Sequence, residues 1–144
     1  AQNVRWAGLR PDVKQNPGSV GKLLCMAGLF NALAEAFPDP ADRQRVLMTA
    51  VSRAGSWVND EIHIVPKWDA AARVNRFSVI NENDEFRLSE WLDHAISASA
   101  NGAGAIIWRE AMLVKYFGSD YPQSFDVSER FFNETKKSTP SQNS

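Results

Sequence analysis

The sequence has little of the side-chain chemistry on which many enzymes depend. Its 144 residues include one cysteine and two histidines. A single cysteine excludes an internal disulfide, and Cys25 lies in the apolar run 23–27, where a small buried side chain is expected. No Gly-x-Ser-x-Gly elbow occurs in the chain. We therefore expect a protein that is not an enzyme and carries no cofactor or metal, although active sites also assemble from residues far apart in sequence.

The sequence also lacks long apolar runs and a large net charge. Asn31 and Glu35 interrupt the longest apolar stretch, which is then too short to span a bilayer. No compact basic leader of the kind found in signal peptides precedes it. The net charge of −1 creates no overall field that would favour nucleic acid or membranes. These features predict a protein without membrane contact, located in the cytoplasm or in a virion.

The charged residues are unevenly distributed along the chain. Residues 1–22 carry four basic and one acidic side chain, a net charge of +3. Residues 59–93 carry eight acidic and four basic side chains, a net charge of −4. A basic end and an acidic middle attract each other, either within one molecule or between copies in head-to-tail contact. A chance asymmetry on a solvated surface would look the same.

The length and the polarity pattern predict one folded domain between two arms. A chain of this length can bury most of its apolar surface in one core. Residues 1–18 are polar and rich in turn formers, residues 136–144 are polar throughout, and residues 19–135 form the predicted helical domain. Arms with few apolar groups cannot offset the entropy of their own ordering. Any apolar side chain within them therefore needs a partner elsewhere.

Helical periodicity predicts a mainly α fold with about four main helices in a bundle. The first spans 20–37, with Ser19 as its cap and most of its sides buried. The second starts at Asp39 and Pro40 and continues to residue 58. The third starts at Ser89, and a break at 101–104 separates it from a very apolar helix over 105–117 that Gly118 ends. A short helix over 126–135 completes the series, with a capping box formed by Asp126 and Glu129.

Residues 76–88 carry the pattern of a small β-hairpin. Alternating polarity on both sides of an Asn- and Asp-rich turn at 81–84 favours two paired strands. Two strands alone are marginally stable, so they should lie on the helices or pair with residues 62–65. Residues 69–74 fit one or two helical turns.

Aromatic side chains divide into predicted core and predicted contact residues. Trp57, Trp91 and Trp108 fall on apolar helical stripes and are expected in the core. Aromatic residues outside the core elements are enriched at contact surfaces, although they would also serve to close the ends of a bundle. Together with the apolar residues of the first arm, the predicted subunit contacts are Val4, Trp6, Leu9, Tyr121 and Phe125.

Basic residues near an aromatic ring give a second hypothesis, contact with nucleic acid. Lysine and arginine neutralise phosphates while an indole stacks on bases. The candidates in the first arm are Arg5, Arg10, Lys14 and Lys22, near Trp6. Arg43, Arg45 and Arg53 would line one face of the second helix, where an ordinary solvated face has the same composition. The segment 17–22 resembles a phosphate-binding loop only in part, since Asn16 and Leu23 replace the required glycine and hydroxyl residue.

These observations lead to one main functional hypothesis and two alternatives. No motif connects the chain with a known family. The main hypothesis is a non-catalytic structural subunit, similar in layout to a coat, nucleocapsid or scaffold protein, that forms a homo-oligomer through its N-terminal arm. The first alternative is a small adaptor or inhibitor of one heterologous protein. The second is a small enzyme that uses His63 or His94 with nearby carboxylates; Glu90 and His94, four residues apart, would also share a helix face as two metal ligands.

Overall fold

Helices dominate the part of the chain that the structure describes. The computed structural model describes residues 8, 12–14, 16–58 and 61–138, with side chains up to residue 135. The helices are α1 (Gly21–Ala36), α2 (Pro40–Thr49), α3 (Leu88–Ile96), α4 (Asn101–Phe117) and α5 (Phe125–Ser138). The strands are β1 (Val51–Arg53), β2 (Ile64–Asp69), β3 (Val74–Val79) and β4 (Glu85–Arg87). The predicted mainly α fold with a small β part is confirmed.

Helix α4 forms the centre of the core. It packs against both α1 and α3, and its side chains Ile106, Ile107, Leu113 and Val114 are buried. Gly102 and Gly104 lie inside its first turns, so the predicted break at 101–104 is wrong. The reason is close packing: a Cβ on Gly102 would lie 2.9 Å from Val58 Cγ1. The chain breaks instead at 97–100, between α3 and α4.

Tertiary hydrogen bonds end the second helix earlier than its apolar periodicity indicates. Helix α2 begins as predicted, with the Asp39 carboxylate accepting a hydrogen bond from the Ala41 amide at 2.8 Å. It ends at Thr49, and strand β1 and a 3-10 turn (Gly55–Val58) replace the expected continuation to residue 58. Within this stretch, Ala50 O accepts a hydrogen bond from the Leu88 amide and Ser52 O accepts one from the Trp91 indole. Pairing with the chain around β4 therefore holds these residues extended.

The prediction that residues 76–88 form one hairpin is wrong, because its two strands do not pair with each other. Strands β3 and β4 form but belong to different sheets: β4 pairs with β1, and β3 pairs with β2, both antiparallel. Residues 69–74, expected to form helical turns, instead comprise the end of β2, a loop over 70–73 and the start of β3, and the Asp69 carboxylate accepts hydrogen bonds from the Ala71 and Ala72 amides of the loop. Residues 64 and 65 of the segment 62–65, the alternative partner, do pair with β3, opposite Val79 and Ser78.

Other helix boundaries differ from the predictions through their caps. The Ser19 side chain makes no capping bond to α1, because residues 18–20 form a 3-10 turn that runs into the helix. Helix α3 starts one residue before Ser89, and the Glu90 carboxylate accepts a hydrogen bond from the Arg87 amide at 2.9 Å. At the start of α5 the Ser124 hydroxyl accepts a hydrogen bond from the Val127 amide, in place of the predicted Asp126 cap. Gly118 ends α4 as predicted, with φ +57°.

Candidate interaction surfaces

Helix α1 carries an apolar stripe on the side that faces solvent. Its opposite side is buried through Leu29, Ala32 and Leu33, so the expectation that α1 is buried on most sides is wrong. The exposed residues recur at helical spacing and, together with the residue before the helix, define what we call the α1 stripe: Val20, Leu23, Leu24, Ala27 and Phe30. The outer face of a surface helix is normally polar. The apolar outer face of α1 is therefore a candidate interaction surface.

A groove runs beside this stripe, between α1 and α4. Trp108 stands in it with 51% of its surface exposed, although its periodicity predicted a core position. The indole divides the groove into two depressions of about 730 and 490 Å³. The first is lined by residues that include Leu24, Cys25 and Ala105. The second is lined by residues that include Gly28, Ala32, Met112 and Tyr116. We call this feature the α1–α4 groove.

Glycine makes the groove accessible beside the Trp108 indole. A Cβ on Gly28 would lie 3.9 Å from Trp108 Cζ3, an ordinary contact distance. The absence of a side chain there leaves the indole face open. Cys25, expected to be buried and inert, is only partly buried and lines the groove.

The β2–β3 hairpin presents a second exposed apolar surface. In the register of the sheet, Ile64 pairs with Val79 and Pro66 pairs with Phe77, so alternate residues share one face. That face contains Ile64, Trp68, Phe77 and Val79, all exposed, with Trp68 at 63% and Phe77 at 66%; we call it the hairpin face. The opposite side is attached to the body through buried Val65 and through Lys67, which forms an ion pair with Asp84. One side of this two-stranded sheet thus lies open to solvent.

Several candidate residues of the first arm lie outside the described part of the chain: Val4, Arg5, Trp6, Leu9 and Arg10. Lys14 is described and exposed. Lys22 is buried, and its ammonium group donates to Ser19 Oγ, Ser99 Oγ and Asn101 Oδ1 at 3.1, 3.3 and 2.8 Å. Its role in the structure is to join the start of α1 to the start of α4, so its charge is not displayed at the surface.

The three candidate arginines of the second helix do not share one helix face. Arg43 and Arg45 belong to α2, whereas Arg53 belongs to β1. The Arg43 guanidinium donates to the carbonyl groups of Phe37 and Pro38. Arg45 pairs with Asp42 at 2.8 Å, and Arg53 lies over the Phe125 ring at 5.1 Å from its centroid. The prediction that these three arginines line one helix face is therefore wrong.

The predicted contact residues Tyr121 and Phe125 take different positions. Tyr121 is buried, and its hydroxyl donates to Glu110 Oε2 at 2.8 Å. It therefore closes the core of its own chain and is not available as a surface contact. Phe125 is half-buried beneath the Arg53 guanidinium.

A buried polar cluster at α4 was missed by the sequence analysis. Arg109 and Glu110 are both almost completely buried and form an ion pair at 2.8 Å. The Arg109 guanidinium also donates to the carbonyl groups of Arg53 and Ala54, and Ser52 Oγ donates to Glu110 Oε1 at 2.7 Å. The sequence did contain a signal for this cluster: two adjacent residues of opposite charge lie in the most apolar helix, and buried charges need partners. The cluster joins β1 to α4, and the hydrogen bonds and the ion pair described above provide partners for both charged groups.

His63 and Glu61 lie together, in an arrangement that caps a helix. His63 Nδ1 lies 2.7 Å from Glu61 Oε1, which also accepts hydrogen bonds from the Ile62 and His63 amides. Glu61 Oε2 accepts a hydrogen bond from the Gly102 amide at the start of α4. Burial raises the pKa of Glu61, but the hydrogen bonds from His63, Gly102 and Ile62 outweigh it and hold this pKa below its ordinary value of 4.5. A carboxylate held ionised in this way stabilises the helix N-terminus.

His94 is buried and does not form a metal site with Glu90. Its ring contacts Phe86 and Trp91 in edge-on geometry, and neither ring nitrogen has a hydrogen-bond partner in the described structure. Burial lowers the pKa of His94 below its ordinary value of 6.5 and outweighs the opposite effect of the Asp93, Glu90 and Asp84 carboxylates. Glu90 is exposed and caps α3. His94 is thus a buried core residue.

The described residues contain neither a cluster suited to a metal ion nor a helix suited to span a membrane. No group of three histidine, cysteine, aspartate or glutamate side chains there has an arrangement that could hold a metal ion. Among those same residues, no helix combines the length and the apolar character that crossing a bilayer requires.

Comparison of the chain with protein-family models, curated proteins and solved structures found no match.

Proposed function

We propose that this protein is a non-catalytic structural subunit that assembles with copies of itself through its N-terminal arm. The single observation that carries the proposal is the exposure of two separate apolar surfaces, the α1 stripe with its groove and the hairpin face. A subunit in an extended assembly needs two such surfaces, because each copy must contact one neighbour on each side.

The size of the hairpin face supports a contact role. Aromatic side chains present 150–250 Å² each, so two rings that are about two-thirds exposed leave about 250 Å² in water. With Ile64 and Val79 the face reaches on the order of 400 Å², a size at which exposed patches on monomers are often functional. A two-stranded sheet is also marginally stable alone, and a neighbour that covers this face would stabilise it.

The different character of the two surfaces favours a head-to-tail assembly. The α1 stripe is a convex helical ridge, whereas the hairpin face is a pleated sheet surface. Because the two surfaces differ, one can contact the other on a neighbouring copy, and neither has to be complementary to itself across a two-fold axis. Heterologous contacts of this kind close into rings or continue as filaments. The uneven charge of the sequence, basic in 1–22 and acidic in 59–93, adds attraction between unlike regions.

Analytical ultracentrifugation of the full chain and of a variant without residues 1–18 tests the proposal. We expect the full chain to sediment as concentration-dependent oligomers and the shortened chain to shift strongly toward the monomer. A matched control removes the polar residues 139–144, which should leave the distribution unchanged. Monomers for all three proteins at high concentration would refute self-assembly.

A further inference from the structure

We infer that the α1–α4 groove is the receptor for residues 4–9 of the N-terminal arm of a second copy. This inference rests on the proposed self-assembly and names the place where the arm binds. The arm contributes three apolar side chains, Val4, Trp6 and Leu9, and the groove offers an open apolar surface around a half-exposed indole.

The spacing of the arm matches the spacing of the groove. The two depressions meet at Trp108, which lines both; Cys25 lines the first and Ala32 lines the second, and these residues are two helical turns apart, about 10 Å along α1. Trp6 and Leu9 are three residues apart. In a polyproline II conformation, which has three residues per turn, their side chains would lie on the same side of the peptide and about 9 Å apart. One side chain can therefore enter each depression while the peptide between them passes over Trp108.

The size and polarity of the two depressions suit a peptide with large apolar side chains. Their volumes of about 730 and 490 Å³ fall in the range that holds a small ligand or a bulky side chain. Both are open along one side, as a peptide that crosses the groove requires. Tryptophan is also among the residues that most often supply the binding energy of an interface.

Exposure of the chain before α1 favours a second copy over the arm of the same molecule. The described residues 12–14 and 16–20 are all exposed, so this segment gains little contact with its own domain. Gly18 and Ser19 line the near end of the groove. The proposed self-assembly then assigns the groove to the arm of a neighbouring copy.

The single native cysteine makes the inference directly testable. Cys25 lines the groove, and Ala7→Cys places a second thiol beside Trp6 while it keeps all three apolar anchors of the arm. A short bis-maleimide applied to the assembled full chain should join position 7 of one copy to Cys25 of the next. We expect a ladder of covalent dimers, trimers and larger species on denaturing electrophoresis, with the 7–25 linkage identified by mass spectrometry.

Two controls separate this linkage from accidental cross-links. In Ala7→Cys with Cys25→Ala each copy has one thiol, so it can form dimers but no ladder. In Gln44→Cys the second thiol lies on the exposed side of α2, and we expect a much weaker ladder. A 7–25 linkage within one chain would overturn the assignment to a second copy.

Gly28→Leu provides a variant that blocks the groove without disturbing the core. A Cβ at this position meets only Trp108, at 3.9 Å, and leucine favours helix over glycine. We expect unchanged helicity and a cross-link yield about tenfold lower. If the Ala7→Cys protein without Gly28→Leu forms oligomers in the ultracentrifuge but gives no 7–25 linkage, the arm–groove contact alone is refuted. If it is monomeric throughout, the proposed assembly is refuted as well.

Discussion

The hydrogen bond from Tyr121 to Glu110 allows a sharp test of the buried polar cluster. Tyr121→Phe removes one hydroxyl and leaves the ring in place. Glu110 Oε1 keeps its hydrogen bonds from Ser52 and Arg109, while Oε2 loses the donor that lies at 2.8 Å. The carboxylate is almost fully buried, so water does not readily replace this donor.

The expected loss follows from the charge of the acceptor. A hydrogen bond to a charged group contributes about 1.5–3 kcal/mol, and a buried group without its partner adds a desolvation cost. We therefore expect Tyr121→Phe to lower the free energy of unfolding by about 2 kcal/mol. With a urea slope of about 1–3 kcal/mol/M, the midpoint of unfolding should fall by about 1 M.

Urea denaturation followed by circular dichroism measures this change, and the chain contains its own control. Tyr116, the other tyrosine, is 67% exposed, so Tyr116→Phe should change the free energy of unfolding by less than about 0.5 kcal/mol and leave the midpoint almost unchanged. Equal midpoints for both variants and the parent chain would refute the role of this hydrogen bond.

The same side chain predicts how stability changes in alkali. Burial, with the charge and hydrogen bond of Glu110, raises the pKa of Tyr121 well above its ordinary value of 10.0. The folded protein therefore keeps the phenolic proton where the unfolded chain loses it, and stability should fall as the pH rises above about 10. Tyr121→Phe should remove this part of the pH dependence.

Two further predictions concern packing and acid stability. Gly102→Ala should destabilise the fold by about 1–3 kcal/mol because the new Cβ would lie 2.9 Å from Val58, whereas Gly28→Ala, whose Cβ would make only an ordinary contact with Trp108 at 3.9 Å, should raise the unfolding midpoint slightly; equal effects of the two in thermal melts would contradict the close approach. The pKa of His94 is lowered in the folded state, so the unfolded chain binds its proton first and stability should fall as the pH drops below about 6.5. Urea titrations at pH 7 and pH 5 measure this change in the free energy of unfolding. If the His94→Leu variant lost as much stability between the two pH values as the parent chain, another group would be the cause.

Local chemistry allowed several elements to be predicted from the sequence. Asp39 and Pro40 start α2 because a carboxylate cap and a fixed φ act within one turn. Gly118 ends α4 because it takes the positive φ that a residue after a helix requires. The strand residues 76–79 and 85–87 were also found, since alternation of polarity is a local pattern.

Contacts between distant residues decided what the local patterns left open. Ala50 and Ser52 are extended because the Leu88 amide and the Trp91 indole bond to their carbonyl groups, and no helical periodicity contains that information. Gly102 and Gly104 belong to a helix because Val58 and the Lys22 side chain pack directly on them. A glycine that breaks a helix and one that permits a close approach look the same in a single sequence.

The sequence by itself determined the helical class and the starts and ends of particular elements, because each depends on neighbours along the chain. Only the tertiary structure decided which apolar side chains remain exposed. Leu24 and Trp108 have the pattern of core residues, yet the packing of α1 against α4 directs both toward solvent. Burial depends on which helix faces meet, and that is a property of the whole fold.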